Sequence, residues 1–76
     1  MKDLVEFLAK SLVDSPDDVR ATTFERGQET VVELEVAQPD LGKVIGRQGR
    51  TARAIRSILS AAGQKARRRY VLDIVD

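Results

Sequence analysis

The chain has no cysteine, no histidine and no tryptophan. Without thiols there is no disulfide framework and no thiol nucleophile; without histidine the usual zinc sites and Ser/His triads are excluded. No base and nucleophile are paired along the sequence, so an enzyme is not expected, nor a cofactor or metal. Aromatic residues are limited to Phe7, Phe24 and Tyr70, too few for a platform of several exposed stacking rings. No apolar run approaches the roughly 18 residues that span a bilayer. The opening "MKDLVEFLAKSL" sets Asp3 and Glu6 among its apolar positions, and neither a signal peptide nor a membrane segment is read there. A cytoplasmic protein with no membrane attachment is the expectation.

Acidic residues are missing from one long stretch, with none between Leu41 and Leu72. Residues 1 to 40 hold four Lys/Arg and ten Asp/Glu, a net of −6, whereas residues 41 to 76 hold nine and two, a net of +7. The formal total of +1 hides this division. It points to an anionic partner, nucleic acid first and a membrane surface second, with two solvated faces of opposite sign as the alternative. At 76 residues the chain makes one domain, residues 1–76, which buries only about 60 to 65% of its unfolded surface. Pairing with another subunit would add to a thin stability margin.

Periodicity supplies the elements. Leu4, Leu8 and Leu12, with Val5 and Val13 beside them, form the stripe of an amphipathic helix from about Lys2 to Val13. Asp3 suits its start, its carboxylate able to accept from an early N–H. "DSPDD" stops it, because Pro16 holds Ser15 extended. In "TVVELEV", Val32, Leu34 and Val36 alternate with Val31, Glu33 and Glu35, the pattern of a strand with one buried face. With Gly27 as the turn residue, Val19 to Ala37 reads as strand, turn, strand. Asp40 to Ile45 fits a short helix with Leu41, Val44 and Ile45 inward, ended by Gly46. Ala52, Ile55, Leu59 and Ala62 then mark a helix from Arg50 to Ala62, stopped near Gly63. "RRYVLDIVD" is β-branched and alternating, a third strand.

Within "LGKVIGRQGRTARAIR", Gly42, Gly46 and Gly49 are separated by four and three residues, which fits neither a P-loop nor a dinucleotide fingerprint. What remains is a four-residue connection, Gly46 to Gly49, between two helices, with Arg47 and Gln48 at its tip. Such a turn exposes backbone N–H groups at a helix start, where a phosphate is favoured. Gly42 is expected to serve helix packing.

"VIGRQGR" resembles the GxxG signature of KH domains, in which that loop clamps about four nucleotides of backbone. The α-β-β-α-α-β order is similar to the type II KH fold, an α+β domain with a three-stranded sheet packed on one face by three helices. Across nearly its whole length the chain resembles the KhpA family of stand-alone bacterial KH domains. The resemblance implies a site for single-stranded RNA at Lys43, Val44, Ile45, Gly46, Arg47, Gln48, Gly49, Arg50 and Arg53. Gly46 and Gly49 would admit the sugar-phosphate backbone, Arg47 and Gln48 would donate to phosphate oxygens, and Val44 and Ile45 would floor the groove. Lys43, Arg50 and Arg53 would line the approach, and "TVVELEV" would form the far wall.

Single-stranded DNA stays open as a ligand. The run Lys65 to Arg69 is open between RNA contact and a solubilising edge. The resemblance further implies an RNA chaperone or post-transcriptional regulator linked to cell elongation and envelope growth. It also implies a homodimer, or pairing with a larger KH-containing protein. Ala54, Ser57, Ile58 and Ala61 offer a surface for that pairing. A protein interaction module in which RNA is secondary is the alternative.

Overall fold

In the computed structural model, which describes residues 1–76, the first element is helix α1, Lys2–Leu12. Its buried side chains are Val5 and Ala9, with Leu8 packed partly against them, while Phe7 and Leu12 face outward. The inward side is thus rotated about one residue from the expected Leu4, Leu8, Leu12 stripe. Asp3 does not cap the helix: the Met1 carbonyl accepts from the Val5 N–H at 3.0 Å. Asp3 instead lies in the first turn, where the helix dipole favours a negative charge. A single 3-10 turn, Pro16–Asp18, redirects the chain into the sheet.

Strands β1 (Arg20–Arg26) and β2 (Glu29–Glu35) run antiparallel, Arg20 opposite Glu35 and Arg26 opposite Glu29. Gly27 and Gln28 join them. Gly27 has a φ of +61° and Gln28 does not share it, the pattern of a type II′ hairpin turn, whose twist matches the strands. Val32 and Leu34 on one face of β2 are fully buried. Val31 was expected on the exposed face yet is only 1% exposed. It sits between Phe24 and Val71 in the register of the central strand, on the side of the sheet away from the core.

Strand β3 (Arg69–Ile74) lies parallel to β2, from Glu29 opposite Arg69 to Leu34 opposite Ile74, giving the order β1-β2-β3. Parallel neighbours need a long crossover. Helices α2 (Leu41–Ile45) and α3 (Arg50–Ala66) provide it. The three helices share one face of the sheet: Val5 and Ala9 from α1, Val44 from α2 and Ile55 and Leu59 from α3 meet Val32, Leu34 and Leu72 in one core. Each fully buried Val or Leu there contributes roughly 1.5–3 kcal/mol.

Helix α3 runs four residues beyond the expected stop. Gly63 lies inside it and is buried; a Cβ there would overlap the carbonyl oxygen of Arg68 and come 3.2 Å from Tyr70 Cδ2. Its glycine therefore serves the close return of the chain into β3. The helix ends instead at Arg67, in the left-handed region (φ 56°, ψ 39°). There the Arg68 N–H donates to the Gly63 carbonyl at 2.8 Å and the Arg67 N–H to the Gln64 carbonyl at 3.3 Å. These two bonds are the Schellman closure.

Candidate nucleic-acid interface

Gly46 to Gly49 form a tight turn at the junction of α2 and α3, with Gln48 outside helical geometry. Three of its residues have positive φ: Gly46 (+78°), Gln48 (+57°) and Gly49 (+75°). Gly46 is required by space as well as by dihedral, because a Cβ there would run into the Thr51 hydroxyl and lie 2.7 Å from the Thr51 amide nitrogen. Gly49 has free space around it, with only an Arg53 nitrogen at 4.0 Å, so its positive φ is the constraint. The Gly49 N–H donates to the Gly46 carbonyl at 3.0 Å and closes the turn. No side chain caps the start of α3; its first N–H, that of Arg50, donates to the Arg47 carbonyl within the turn.

The cations around the turn divide by what they hold. Arg53 donates to the Gln48 carbonyl at 2.8 Å, bracing the one non-glycine residue of the turn in left-handed geometry. Arg50 reaches the Gln48 Oε1 at 3.4 Å. Arg47, at the tip, is exposed and stands outside these contacts. Lys43 is held on the other side of α2, 3.1 Å from Asp14 Oδ2 and 3.4 Å from Asp40 Oδ1. Those two carboxylates raise its pKa above the ordinary lysine value.

Asp40 is the polar side chain that sequence reasoning missed. Expected only as a helix starter, it is 2% exposed and accepts the N–H of Ser15 at 3.0 Å and of Asp14 at 3.3 Å. Burial alone would push its carboxyl up; the Ser15 and Asp14 N–H groups and the Lys43 ammonium outweigh that and hold it below its ordinary value. The result pins the end of α1 to the start of α2. A carboxylate directly before a five-residue helix was the available signal, but its partners lie 25 and 26 residues away.

Several expected positions shift. Val44 is fully buried in the core, so it supports the site from beneath and cannot itself touch a ligand. Ile45, expected inward, is 36% exposed and is the apolar side chain that borders the turn. Gly42 is exposed and a Cβ on it would meet nothing within 4 Å, so packing does not account for it. "TVVELEV" does not line the groove beside α3: it contains β2, the central strand, and none of its residues is in the groove wall. The wall beside α3 is β3, whose outer edge is free. A surface groove runs between them, lined by Arg56, Ser60 and Gln64 of α3 and by Arg69 and Tyr70 of β3, and it reaches the Glu25–Glu29 hairpin.

Helix α3 presents three faces. Ala52, Ile55, Leu59 and Gly63 are buried. Gly49, Arg53, Arg56, Ser60, Gln64 and Arg67 recur at helical spacing, and the last four of them line the groove. Ala54, Ser57, Ile58 and Ala61 fall together on the remaining exposed face.

A GxxG turn between two helices, placed in the crossover of a parallel β2–β3 pair and preceded by a helix and a hairpin strand, defines a KH domain of type II. The chain belongs to the KhpA/KhpB KH-domain family, whose model matches residues 2–74. It is similar to the RNA-binding protein KhpA of Halalkalibacterium halodurans, 54% identical over 76 residues with both chains covered in full. It is similar also to the proteins of the same name from Aquifex aeolicus, 53% identical, and Bacillus subtilis, 42% identical, each over 76 residues. Those matches take in all of this chain and 96% and 94% of the respective relatives. No solved structure matches it. No helix is long and apolar enough to cross a membrane.

Proposed function

We propose that this protein binds single-stranded RNA, seating the sugar-phosphate backbone on the Gly46–Gly49 turn and laying the bases along the groove between α3 and β3. The observation that carries this reading is the turn itself: backbone opened by Gly46 and Gly49 at an uncapped helix start, with Arg47 free at the tip. Relatives named RNA-binding protein KhpA support it. Arg47 offers a forked guanidinium to phosphate oxygens, and the Gln48 side-chain amide adds a neutral donor. Ile45 supplies the apolar border. Arg50 and Arg53 shape the turn and add positive potential, while Lys43 acts at a distance from within its ion pairs. With few aromatics, base selection is weak, and function as an RNA chaperone or post-transcriptional regulator in the cytoplasm, tied to cell elongation and envelope growth, suits a broad binder.

The exposed Ala54, Ser57, Ile58 and Ala61 face favours a second role, pairing with another copy of this chain or with a larger KH-containing protein. Small side chains let two helices approach closely, and a second site raises avidity without new contacts.

The test replaces Arg47 and Gln48 with Asp and titrates labelled single-stranded RNA, with single-stranded DNA of the same sequence in parallel. Binding to RNA is expected to weaken by roughly tenfold or more, with far-UV circular dichroism unchanged. Unaltered RNA affinity in a folded double variant would overturn the assigned site.

A further inference from the structure

Four cations, Lys65, Arg67, Arg68 and Arg69, end α3 and begin β3, and two of them are already paired with the hairpin. Arg68 donates to Glu25 Oε1 at 2.8 Å and to Thr30 Oγ1 at 2.7 Å, and the Thr30 hydroxyl donates to Glu25 Oε2 at 2.9 Å, a closed ring of three side chains. Arg69 Nε meets Glu29 Oε2 at 3.0 Å, and the other oxygen of Glu29 takes Arg26 at 3.3 Å. These contacts sit at the hairpin end of the groove. The 17-residue α3, about 25 Å long, separates them from the GxxG turn.

A carboxylate presents two coplanar oxygens to a guanidinium fork, and a phosphate presents the same pair. Glu25, Arg68 and Arg69 are all solvent-open, and ion pairs in such a setting add little to stability. Exchanging one anion for another there leaves the core untouched. The surroundings favour the exchange. Arg67 also lines this end of the groove, so it stays positive with both pairs closed and draws anions. Between it and the turn, Arg53 and Arg56 lie on the same exposed stripe of α3, which carries no carboxylate.

We propose that the hairpin end of the α3–β3 groove is a second phosphate site, in which Arg68 and Arg69 hold the backbone of a strand running on from the GxxG turn. Glu25 and Glu29 each hold one nitrogen of those guanidinium groups through a single oxygen in the free protein and give way to the ligand. The proposal rests on the RNA-binding reading and adds to it the reach of the site. A strand of about four nucleotides, the length a KH loop clamps, leaves the two ion pairs closed. A longer strand opens them, so the protein selects for length rather than sequence.

The experiment titrates salt against binding of two single-stranded RNA probes, one of four nucleotides and one roughly three times as long. Replacing Glu25 and Glu29 by Gln is expected to tighten binding of the long strand about three- to tenfold and to leave the short one unchanged. The control is Glu33→Gln with Glu35→Gln, which changes the charge equally on β2, where neither side chain has a cationic partner; both probes should bind it as they bind the unaltered protein. Arg69→Gln should weaken the long strand alone and make its log K against log salt slope shallower by about 0.7. Glu29→Gln by itself leaves the Arg68–Thr30–Glu25 ring intact and repeats the test if the double variant is less stable. The second site is overturned if long-strand binding is unmoved by the Glu25 and Glu29 changes, or rises equally in the control. The RNA reading fails separately, if the unaltered protein binds neither probe.

Discussion

At the scale of single residues, Gly42 and Gly46 stand four apart in the same connection and only one has to be glycine. Gly46 combines a φ of +78° with the Thr51 side chain and amide where a Cβ would go. Gly46→Ala should therefore destabilise the protein by about 1–3 kcal/mol, from dihedral strain and overpacking together. Gly42 is helical, exposed and without neighbours. Gly42→Ala should stabilise by about 0.5–1 kcal/mol, and denaturant unfolding of both variants measures the contrast. The spacing of the glycines was legible in the sequence, and with it the GxxG turn. Which glycine answers to packing was not, because it depends on where Thr51 folds back, and the expected role of Gly42 was misplaced for that reason. The same holds for Lys43, whose charge was visible but whose two carboxylate partners come from the end of α1 and the start of α2.

At the scale of elements, a five-residue helix such as α2 has too few internal hydrogen bonds to stand alone. It depends on the Asp40 carboxylate that ties it to the turn after α1. Because the pKa of Asp40 is lowered by folding, its contribution is complete above the ordinary carboxylate range, about pH 4, and is lost as pH falls through the lowered folded value. Lys43 behaves in the opposite sense. Its pKa is raised by folding, so its contribution is complete below about pH 10 and is lost as pH rises through the raised value. Thermal unfolding of the Asp40→Asn variant should lie below that of the unaltered protein at neutral pH, with the gap closing under acid conditions. Parallel curves from pH 7 down to 2 would remove this anchor from the account.

Element order and most boundaries were readable, since α1, α3 and the hairpin each carry their own period or turn residue. The end of α3 was not. Gly63 looks like a stop in sequence, and only the carbonyl of Arg68 lying against it shows a crossing point instead. Nor does strand pattern reveal pairing. Val31, at an alternate position among glutamates, was the one sign that β2 lies in the middle of the sheet and that β3 lines the groove.

At the scale of the whole molecule, the acidic and basic halves of the sequence do not become two separate faces. The β1–β2 hairpin brings Glu25 and Glu29 from the acidic half onto Arg68 and Arg69 of the basic half, which leaves the free positive charge concentrated along α3. The charge division was plain from composition, whereas the partial neutralisation needs the register of β3 against β2. The exposed Ala54, Ser57, Ile58 and Ala61 face bears on assembly. If two copies join there, the melting temperature should rise with protein concentration, and Ile58→Asp should abolish that dependence while preserving the circular dichroism spectrum. A single monomeric species in sedimentation at high concentration would exclude this pairing.

The brace from Arg53 to the Gln48 carbonyl separates two duties that could have been fused in one residue. Turn shape belongs to Gly46, Gly49 and Arg53, and the ligand contact proposed for the tip falls to Arg47, whose side chain is outside those contacts. Position 47 is accordingly a free variable of the scaffold. On the proposed reading of the site, a substitution at position 47 would change ligand binding without removing a contact that holds the turn.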